Sequence, residues 1–325
     1  MRTHRRALLS LVLLATTTVT VPAPAQDYPA RPVRIITDAG AGSAIDVVIR
    51  IFAERLTQLH GQPVVIVNQP GGGGAIAARA AAQSAPDGYT LLVAALSTFV
   101  TTSGTASNLP IRVPRDFLPV AYLGGAPMMV AGASWLEAKT LPELIAYAKK
   151  KPGDLTYGTN GRGRLTHLTG ALLASRAGIE LLMIPYSGGT AQVLTDMMGK
   201  RVPLVIDGLS AFTGALQAGT VVPLAIASRQ RLPNFPDVQT VAEALPGFVA
   251  SGWQVVLAPV GTPDAVVHKA NADWLKILND PETRKRIAHF NRDEQSLSPA
   301  ETAAFIQSEQ AKWEPVLKQI EAAAK

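Results

Sequence analysis

Short apolar segments alternate with amphipathic segments along most of this chain, and turns rich in glycine separate them. Residues 33–37 are predicted to form a strand, and the apolar residues from Ile45 to Leu59 then fall on one face of a helix. Strands are predicted again at residues 64–67 and 90–95. This repeated order favours an α/β fold in which helices cover both faces of a parallel sheet.

The second half of the chain repeats this order without repeating the sequence. It is predicted to begin with a strand at residues 127–131, and Thr140 and Glu143 have the spacing of a capping box that opens a helix at 141–150. Pro315 is expected to kink or end the last long helix, because proline lacks the amide hydrogen. The other elements predicted in this half are strands at 155–157, 181–185, 202–207 and 223–227 and helices at 165–177, 190–198 and 211–218.

A late strand, predicted at residues 253–258, and the helices after it have no third sheet to join. We therefore expect them to return to the first domain, so that two crossings connect two α/β domains that enclose a cleft. The predicted limits are residues 26–125 together with 246–325 for the first domain and residues 126–245 for the second.

The first 25 residues resemble a secretory signal peptide. Arg2, Arg5 and Arg6 form a basic region, an uncharged apolar run follows, and Ala23-Pro24-Ala25 has the small residues of a cleavage site before Gln26. Export from the cytoplasm is therefore expected. Without the three arginines, 27 of the 30 basic residues remain against 24 acidic ones. This balance does not favour nucleic acid as a partner.

Several kinds of reaction centre have no counterpart in the sequence. The chain contains no cysteine, which excludes disulfides, thiol catalysis and iron–sulfur clusters. It has no G-x-S-x-G motif, and its five histidines are scattered without the spacing of metal ligands. We therefore predict no catalytic residue, no metal site and no cofactor.

The glycine-rich turn after the first predicted strand is a candidate ligand site. Glycine allows the backbone to approach a ligand closely, and the N–H groups at the start of the following helix attract an anion. A dinucleotide fingerprint would need Gly or Ala at Ile45, and an ordinary tight turn is the alternative. The candidate residues are Gly40, Ala41, Gly42, Ser43, Ala44 and Asp46.

The segment from residue 157 to 167 is the richest in groups that suit a carboxylate. Its arginines could equally be solvated at the surface, and a single histidine in an early helical turn is more often a packing or capping residue. The candidate residues here are Thr159, Asn160, Gly161, Arg162, Thr166 and His167.

Three further candidates come from other turns. Gly74 closes a run of four glycines that lacks the Lys-Ser/Thr pair of a phosphate loop, so it either approaches a ligand or only allows a flexible turn. Tyr186 precedes another turn of polar residues and glycines. Asp207 ends an apolar strand, where it could contact a ligand or cap the next helix.

Motifs along nearly the whole chain after residue 25 resemble those of the periplasmic receptors of tripartite tricarboxylate transporters, also called Bug proteins. The motifs that carry this resemblance are Tyr28-Pro29-x-Arg31-Pro32-Val33-Arg34, Asp46-x-x-x-Arg50, Gly61-Gln62-Pro63-Val64-Val65, Asn68-x-Pro70-Gly71-x-Gly73-Gly74, Ala85-Pro86-Asp87-Gly88-Tyr89-Thr90-Leu91-Leu92, Thr166-His167-Leu168, Ile184-Pro185-Tyr186-x-Gly188 and Ala258-Pro259-x-Gly261-Thr262-Pro263.

The resemblance implies a two-domain periplasmic-binding-protein fold of the Venus flytrap, type II-like kind. It implies a monomeric receptor that binds a small organic carboxylate in the interdomain cleft and delivers it to membrane permease subunits. The family's polar position after the third strand corresponds to Ser97 and Thr98. Asp38, Arg162 and Arg164 depart from the family pattern, and an acid at position 38 would repel a carboxylate unless it faced away or met a cation.

Two alternatives remain open at this point. The same cleft could serve a carboxylate sensor that reports to a signalling partner. An exported enzyme with a nucleotide cofactor at the first glycine-rich turn is a second possibility, which the broken fingerprint disfavours.

Overall fold

The computed structural model describes residues 28–71, 74–99, 113–186, 189–292 and 295–322. The predicted signal peptide, residues 1–25, lies outside these ranges. The strands are β1 Val33–Thr37, β2 Val64–Asn68, β3 Thr90–Ala95, β4 Phe117–Ala133, β5 Thr156–Thr159, β6 Leu182–Pro185, β7 Leu204–Gly208, β8 Val221–Ile226 and β9 Ser251–Pro259. The α-helices are α1 Ala44–His60, α2 Ala75–Ala82, α3 Leu96–Phe99, α4 Leu141–Lys150, α5 Leu165–Ala177, α6 Gly189–Met198, α7 Thr213–Gln217, α8 Val241–Ala244, α9 Asp264–Leu278, α10 Pro281–Ile287 and α11 Pro299–Ala322.

The described strands form one curled, nine-stranded sheet in the order β2-β1-β3-β9-β4-β7-β5-β6, with β8 also paired to β4. The α/β prediction is confirmed, but the prediction of a parallel sheet is only partly right. β1 is parallel to β2 and β3, and β5 is parallel to β6 and β7. β9 is antiparallel to β3, and β4 is antiparallel to every strand that it pairs with.

Strand β4 belongs to both halves of the sheet. Its first part pairs with β9 from Phe117 to Pro127, and its second part pairs with β7 and β8. The prediction that a strand begins at residue 127 was therefore wrong by ten residues, because β4 continues through Pro119 and Gly125. Its pairing with β9 shifts register at both places, and such irregularities accommodate proline and glycine within a strand.

Local signals in the sequence set the ends of several helices. Ser43 caps the start of α1 with its hydroxyl, and Gly61 ends this helix in the left-handed conformation, with φ of 64°. The predicted capping box of Thr140 and Glu143 is present at the start of α4. Asp280 caps α10, in which proline occupies the first turn. The start of a helix can therefore be predicted from the sequence where a side chain accepts a hydrogen bond from the free amides of the first turn.

Two predictions about helices in the second half need correction. The helix predicted at residues 211–218 is shorter, since a 3-10 helix over Leu209–Phe212 precedes α7. Pro315 does not end the last helix, which continues to Ala322. Trp313 and Val316, on either side of this proline, are almost fully buried. Their burial favours a continuous helix despite the hydrogen bond that proline removes.

A buried polar cluster joins α11 to the start of β9. The Glu309 carboxylate accepts hydrogen bonds from the indole N–H of Trp253 at 2.9 Å and of Trp313 at 3.2 Å. It also pairs with Lys312, whose ammonium reaches the Val249 carbonyl at 3.0 Å. Burial lowers the pKa of Lys312, although Glu309 opposes this shift. The cluster therefore fixes the C-terminal helix at the place where the chain crosses between the two halves.

Glu243, on the short helix α8, should make the stability of the protein depend on pH. Glu243 receives paired hydrogen bonds from Arg231 and one from the backbone of Thr240, and these lower its pKa to about 2. Because the pKa of Glu243 is lower in the folded protein than its ordinary value of 4.5, the ionised carboxylate stabilises the fold above pH 4.5. This contribution to stability is lost as the pH falls from 4.5 through about 2. We expect the melting temperature of Glu243→Gln to lie below that of the wild type at pH 6 and to converge with it between pH 4.5 and 2. A difference that stayed constant over this range, measured by differential scanning fluorimetry, would contradict the assignment.

Candidate ligand-binding cleft

A cavity of about 490 Å³ lies where the carboxyl ends of β1, β5 and β7 approach one another. In open α/β sheets this is the edge at which ligands bind. Residues from both halves of the molecule line it, among them Asp38, Gly40, Ser43, Ile45, Asn160, Arg164, Leu165, Thr166, Asp207, Ser210, Gln254 and Arg292. The cavity therefore contains the starts of two helices, α1 and α5.

The first loop, residues 38–43 between β1 and α1, is held in place by Asp46. Its buried carboxylate accepts hydrogen bonds from the Gly42 amide at 2.8 Å, from Arg50 at 2.9 Å and from Asn68 at 2.8 Å. Burial works to raise the pKa of Asp46, but these hydrogen bonds outweigh it and the pKa is lowered. Asp46 therefore supports the loop from within. The loop leaves Gly40 and Ser43 at the cavity, while Ala41 and Gly42 are exposed beside it.

A hydrogen-bond network around Asp207 shapes the opposite wall. The Asp207 carboxylate accepts from the Asn160 side chain at 2.9 Å, from the Thr190 hydroxyl and from the Gly208 amide at 2.7 Å. The backbone N–H of Asn160 donates to the Thr166 hydroxyl at 3.1 Å. Among the described hydrogen bonds of Asp207, none caps α7. The network positions the loop after β5 against the end of β7.

Three other candidates of this loop have different positions. Thr159 is buried at the end of β5, and its hydroxyl accepts from the Gly161 amide at 3.2 Å. Arg162 and His167 line a separate cavity of about 790 Å³ on the other side of α5. His167 accepts from the Gly163 amide at 3.0 Å, and burial together with Arg162 lowers its pKa. The structure thus does not bring Arg162 and His167 to the cleft.

Tyr186 also lies away from the cleft lining. It is buried, and its hydroxyl donates to the Asp196 carboxylate at 2.8 Å. Burial and this partner raise the pKa of Tyr186 to about 12. In this arrangement Tyr186 connects the end of β6 to α6.

The region behind the first loop is tightly packed around Gly74. This glycine has φ of 95°, and a side-chain carbon there would lie 2.5 Å from the Thr98 hydroxyl and 3.0 Å from the Asp38 carboxylate. Thr98, on α3, is buried, and its hydroxyl has no hydrogen-bond partner within the described part of the chain. Ser97 precedes it on the same helix. Ala44 is the first residue of α1.

We expect the substitution Gly74→Ala to destabilise the protein. A residue with a side chain is strained at this positive φ, and its methyl group would displace Thr98 and Asp38. The expected loss is about 1–3 kcal/mol in the free energy of unfolding. Gly61→Ala is a matched control, because Gly61 also has a positive φ but has open space around it. Equal losses in urea unfolding would show that crowding at Gly74 contributes nothing.

Some cleft residues were missed as candidates in the sequence. Arg164 stands at the N-cap of α5, and no hydrogen bond of its side chain to a described residue is present. Gln254 and Arg292 come from distant segments, and Arg292 donates to the Leu123 and Gly124 carbonyls and to Gln254. The sequence contains a signal for Asp38 and Arg164, since both depart from the family pattern. It contains none for Gln254 and Arg292, because only the folded chain brings these residues to the cleft.

The described residues offer no cluster of three or more His, Cys, Asp or Glu side chains suited to a metal ion. In the same part of the chain, no helix combines the length and apolar character that crossing a membrane requires.

A family model described as "Tripartite tricarboxylate transporter family receptor" matches residues 48–322. The chain belongs to this receptor family. Two similar relatives of the receptor come from the genus Bordetella. A UPF0065 protein of Bordetella bronchiseptica is 34% identical over 97% of this chain and 92% of its own length, and protein BugT of Bordetella pertussis is 33% identical over 95% of each chain.

Solved structures of similar proteins share the fold of the receptor. "R. palustris Rpa4515 with adipate" has a TM-score of 0.75 and 31% identity, and it covers 91% of this chain and 99% of its own. MatC (Rpa3494) of Rhodopseudomonas palustris, with bound malate, has a TM-score of 0.70 and 30% identity over 89% of this chain and all of its own. The two-domain periplasmic-binding-protein fold predicted from the sequence is therefore confirmed.

Proposed function

We propose that this protein is a periplasmic receptor that binds a small organic carboxylate in the cleft and delivers it to the permease of a tripartite tricarboxylate transporter. Family membership supports the receptor role, and the names of two similar structures record adipate and malate as ligands. The observation that carries the proposal is the cavity that contains the starts of α1 and α5. Helix N-termini are suited to binding anions.

The proposed mode of binding uses backbone and side-chain donors from both halves. The Gly40 amide and the first turn of α1 would face one end of the ligand, and Arg164 with the first turn of α5 would hold a carboxylate at the other. Asn160 and Asp207 would keep the second wall in position. Several charge-assisted hydrogen bonds of this kind are sufficient for micromolar affinity, about −8 kcal/mol.

Closure of the cleft is the second part of the proposal. The chain crosses between the halves in β4 and at the start of β9. At these crossings the backbones of Gly125 and Trp253 lie very close together, since a side-chain carbon added at Gly125 would be 2.7 Å from the Cα atom of Trp253. We propose hinge bending at these crossings between a first domain of residues 26–125 with 246–325 and a second of residues 126–245. The closed, liganded form is the one that the permease would bind.

A thermal-shift screen tests the binding proposal. The protein, unfolded and refolded to remove any co-purified ligand, is mixed with mono-, di- and tricarboxylates, aromatic acids and amino acids. A ligand at 100 times its Kd should stabilise the protein by about 2.7 kcal/mol, a shift of several degrees. No shift with any acid would contradict the proposal. An unchanged radius of gyration in X-ray scattering on ligand binding would contradict closure alone.

We also propose that the protein is a monomer, acts without a cofactor and does not catalyse a reaction. The described cleft contains no arrangement of nucleophile, base and orienting group, which supports the receptor role over an enzyme. Delivery to a permease and reporting to a sensor partner would use the same cleft. Ligand-dependent uptake into membrane vesicles that contain the permease separates the two roles.

A further inference from the structure

Four charged side chains of the described residues line the cleft, and two of them already have protein partners. Asp207 accepts hydrogen bonds from three donors, as described above. Arg292 donates to two main-chain carbonyls and to Gln254. The other two, Asp38 and Arg164, make no side-chain hydrogen bond to another described residue. They belong to opposite halves, since Asp38 follows β1 and Arg164 precedes α5.

The charges of Asp38 and Arg164 are opposite, and this has a consequence for the ligand. A dicarboxylate held at Arg164 would bring its second carboxylate towards Asp38, and like charges close together in a desolvated site oppose binding. A molecule with a carboxylate at one end and a cation at the other would match both groups. We propose that the cleft selects organic acids that also carry a protonated amine, with the carboxylate at Arg164 and the ammonium at Asp38.

The surroundings of Asp38 support this inference, which rests on the proposed function of the cleft. Burial raises the pKa of the Asp38 carboxyl, and its own backbone amide and Arg164 offset this only in part. The charge of Arg164 therefore compensates the Asp38 carboxylate only in part. An ammonium in the cleft can donate hydrogen bonds to the Asp38 carboxylate, which is part of the cleft lining.

Calorimetric titration of matched acids tests the inference. The pairs are adipate with 6-aminohexanoate and glutarate with glutamate, each measured at pH 7.5 in two buffers of different ionisation enthalpy. We expect the amine-bearing acid of at least one pair to bind the wild-type protein at least tenfold more tightly than its dicarboxylate. The variant Asp38→Asn should reduce this preference to less than twofold. Asp237→Asn is the control, because it removes one exposed negative charge outside the cleft lining and should keep the preference.

The outcomes separate this inference from the proposed function. Dicarboxylates that bind as tightly as the amino acids, or more tightly and with proton uptake, would overturn the inference and leave a carboxylate receptor. An unchanged preference in Asp38→Asn would also overturn it. If neither the panel nor the wider screen contains any ligand, the proposed function fails and the inference fails with it. Circular dichroism of Asp38→Asn establishes that the variant is folded.

Discussion

The variant Arg164→Gln is expected to bind its carboxylate roughly 10- to 150-fold more weakly than the wild type. The Arg164 guanidinium lines the cleft and makes no hydrogen bond to another residue in the described part of the chain, so it can pair with a ligand. A hydrogen bond to a charged group contributes about 1.5–3 kcal/mol, which corresponds to this range of Kd. The measurement is a calorimetric titration with whichever acid of the screen binds the wild type most tightly.

Arg162→Gln is a matched control in the same loop. Arg162 was a candidate ligand residue in the sequence, but its side chain lines the other cavity, of about 790 Å³. We expect its replacement to change Kd by less than twofold. The opposite pattern, a large loss with Arg162→Gln and none with Arg164→Gln, would place the ligand in that second cavity and contradict the proposed cleft.

The variant Glu309→Ala is expected to cause the largest loss of stability, about 3–5 kcal/mol. It removes the acceptor for the indole N–H groups of Trp253 and Trp313 and leaves the Lys312 ammonium without its carboxylate partner. An uncompensated buried charge is costly, and each unpaired indole adds to the loss. For a protein of this size the melting temperature should fall by roughly 5–10 °C.

A second acidic residue on the same helix provides the control for Glu309. Glu314 is exposed and pairs with Lys318 at 2.7 Å, so Glu314→Ala should leave the free energy of unfolding almost unchanged. Equal melting temperatures for the two variants would show that the buried cluster does not stabilise the protein. Because Trp253 and Trp313 are both in the cluster, a change in tryptophan fluorescence of Glu309→Ala at low temperature would report local rearrangement.

The sequence was most informative about local structure. The N-caps of α1, α4 and α10 depend on side chains that bond to amides three residues away, so they follow from neighbouring residues alone. The glycine-rich turns after β1 and β5 were also recognisable, and the structure places both at one cavity. Family motifs allowed the fold and the receptor class to be predicted before any tertiary information.

Other features depend on contacts between distant segments. β4 is long because β9, β7 and β8 pair with it, although its own sequence contains prolines and glycines that indicate interruption. α11 continues past Pro315 because Trp313 and Val316 are buried in the core. Local propensity alone indicated neither the length of β4 nor the continuation of α11 past Pro315, since tertiary hydrogen bonds and apolar burial outweigh it.

The ligand site shows the same division between sequence and tertiary structure. The two candidate anion-binding loops could be recognised in the sequence, because glycines and helix starts are local features. That Arg164 lines the cleft while Arg162 lines another cavity emerged only from the folded chain, in which Gly163, with φ of 74°, turns the backbone between the two arginines. The folded chain also brings Asp38 and Arg164 to one cavity, although they are far apart in the sequence, since their meeting depends on tertiary packing.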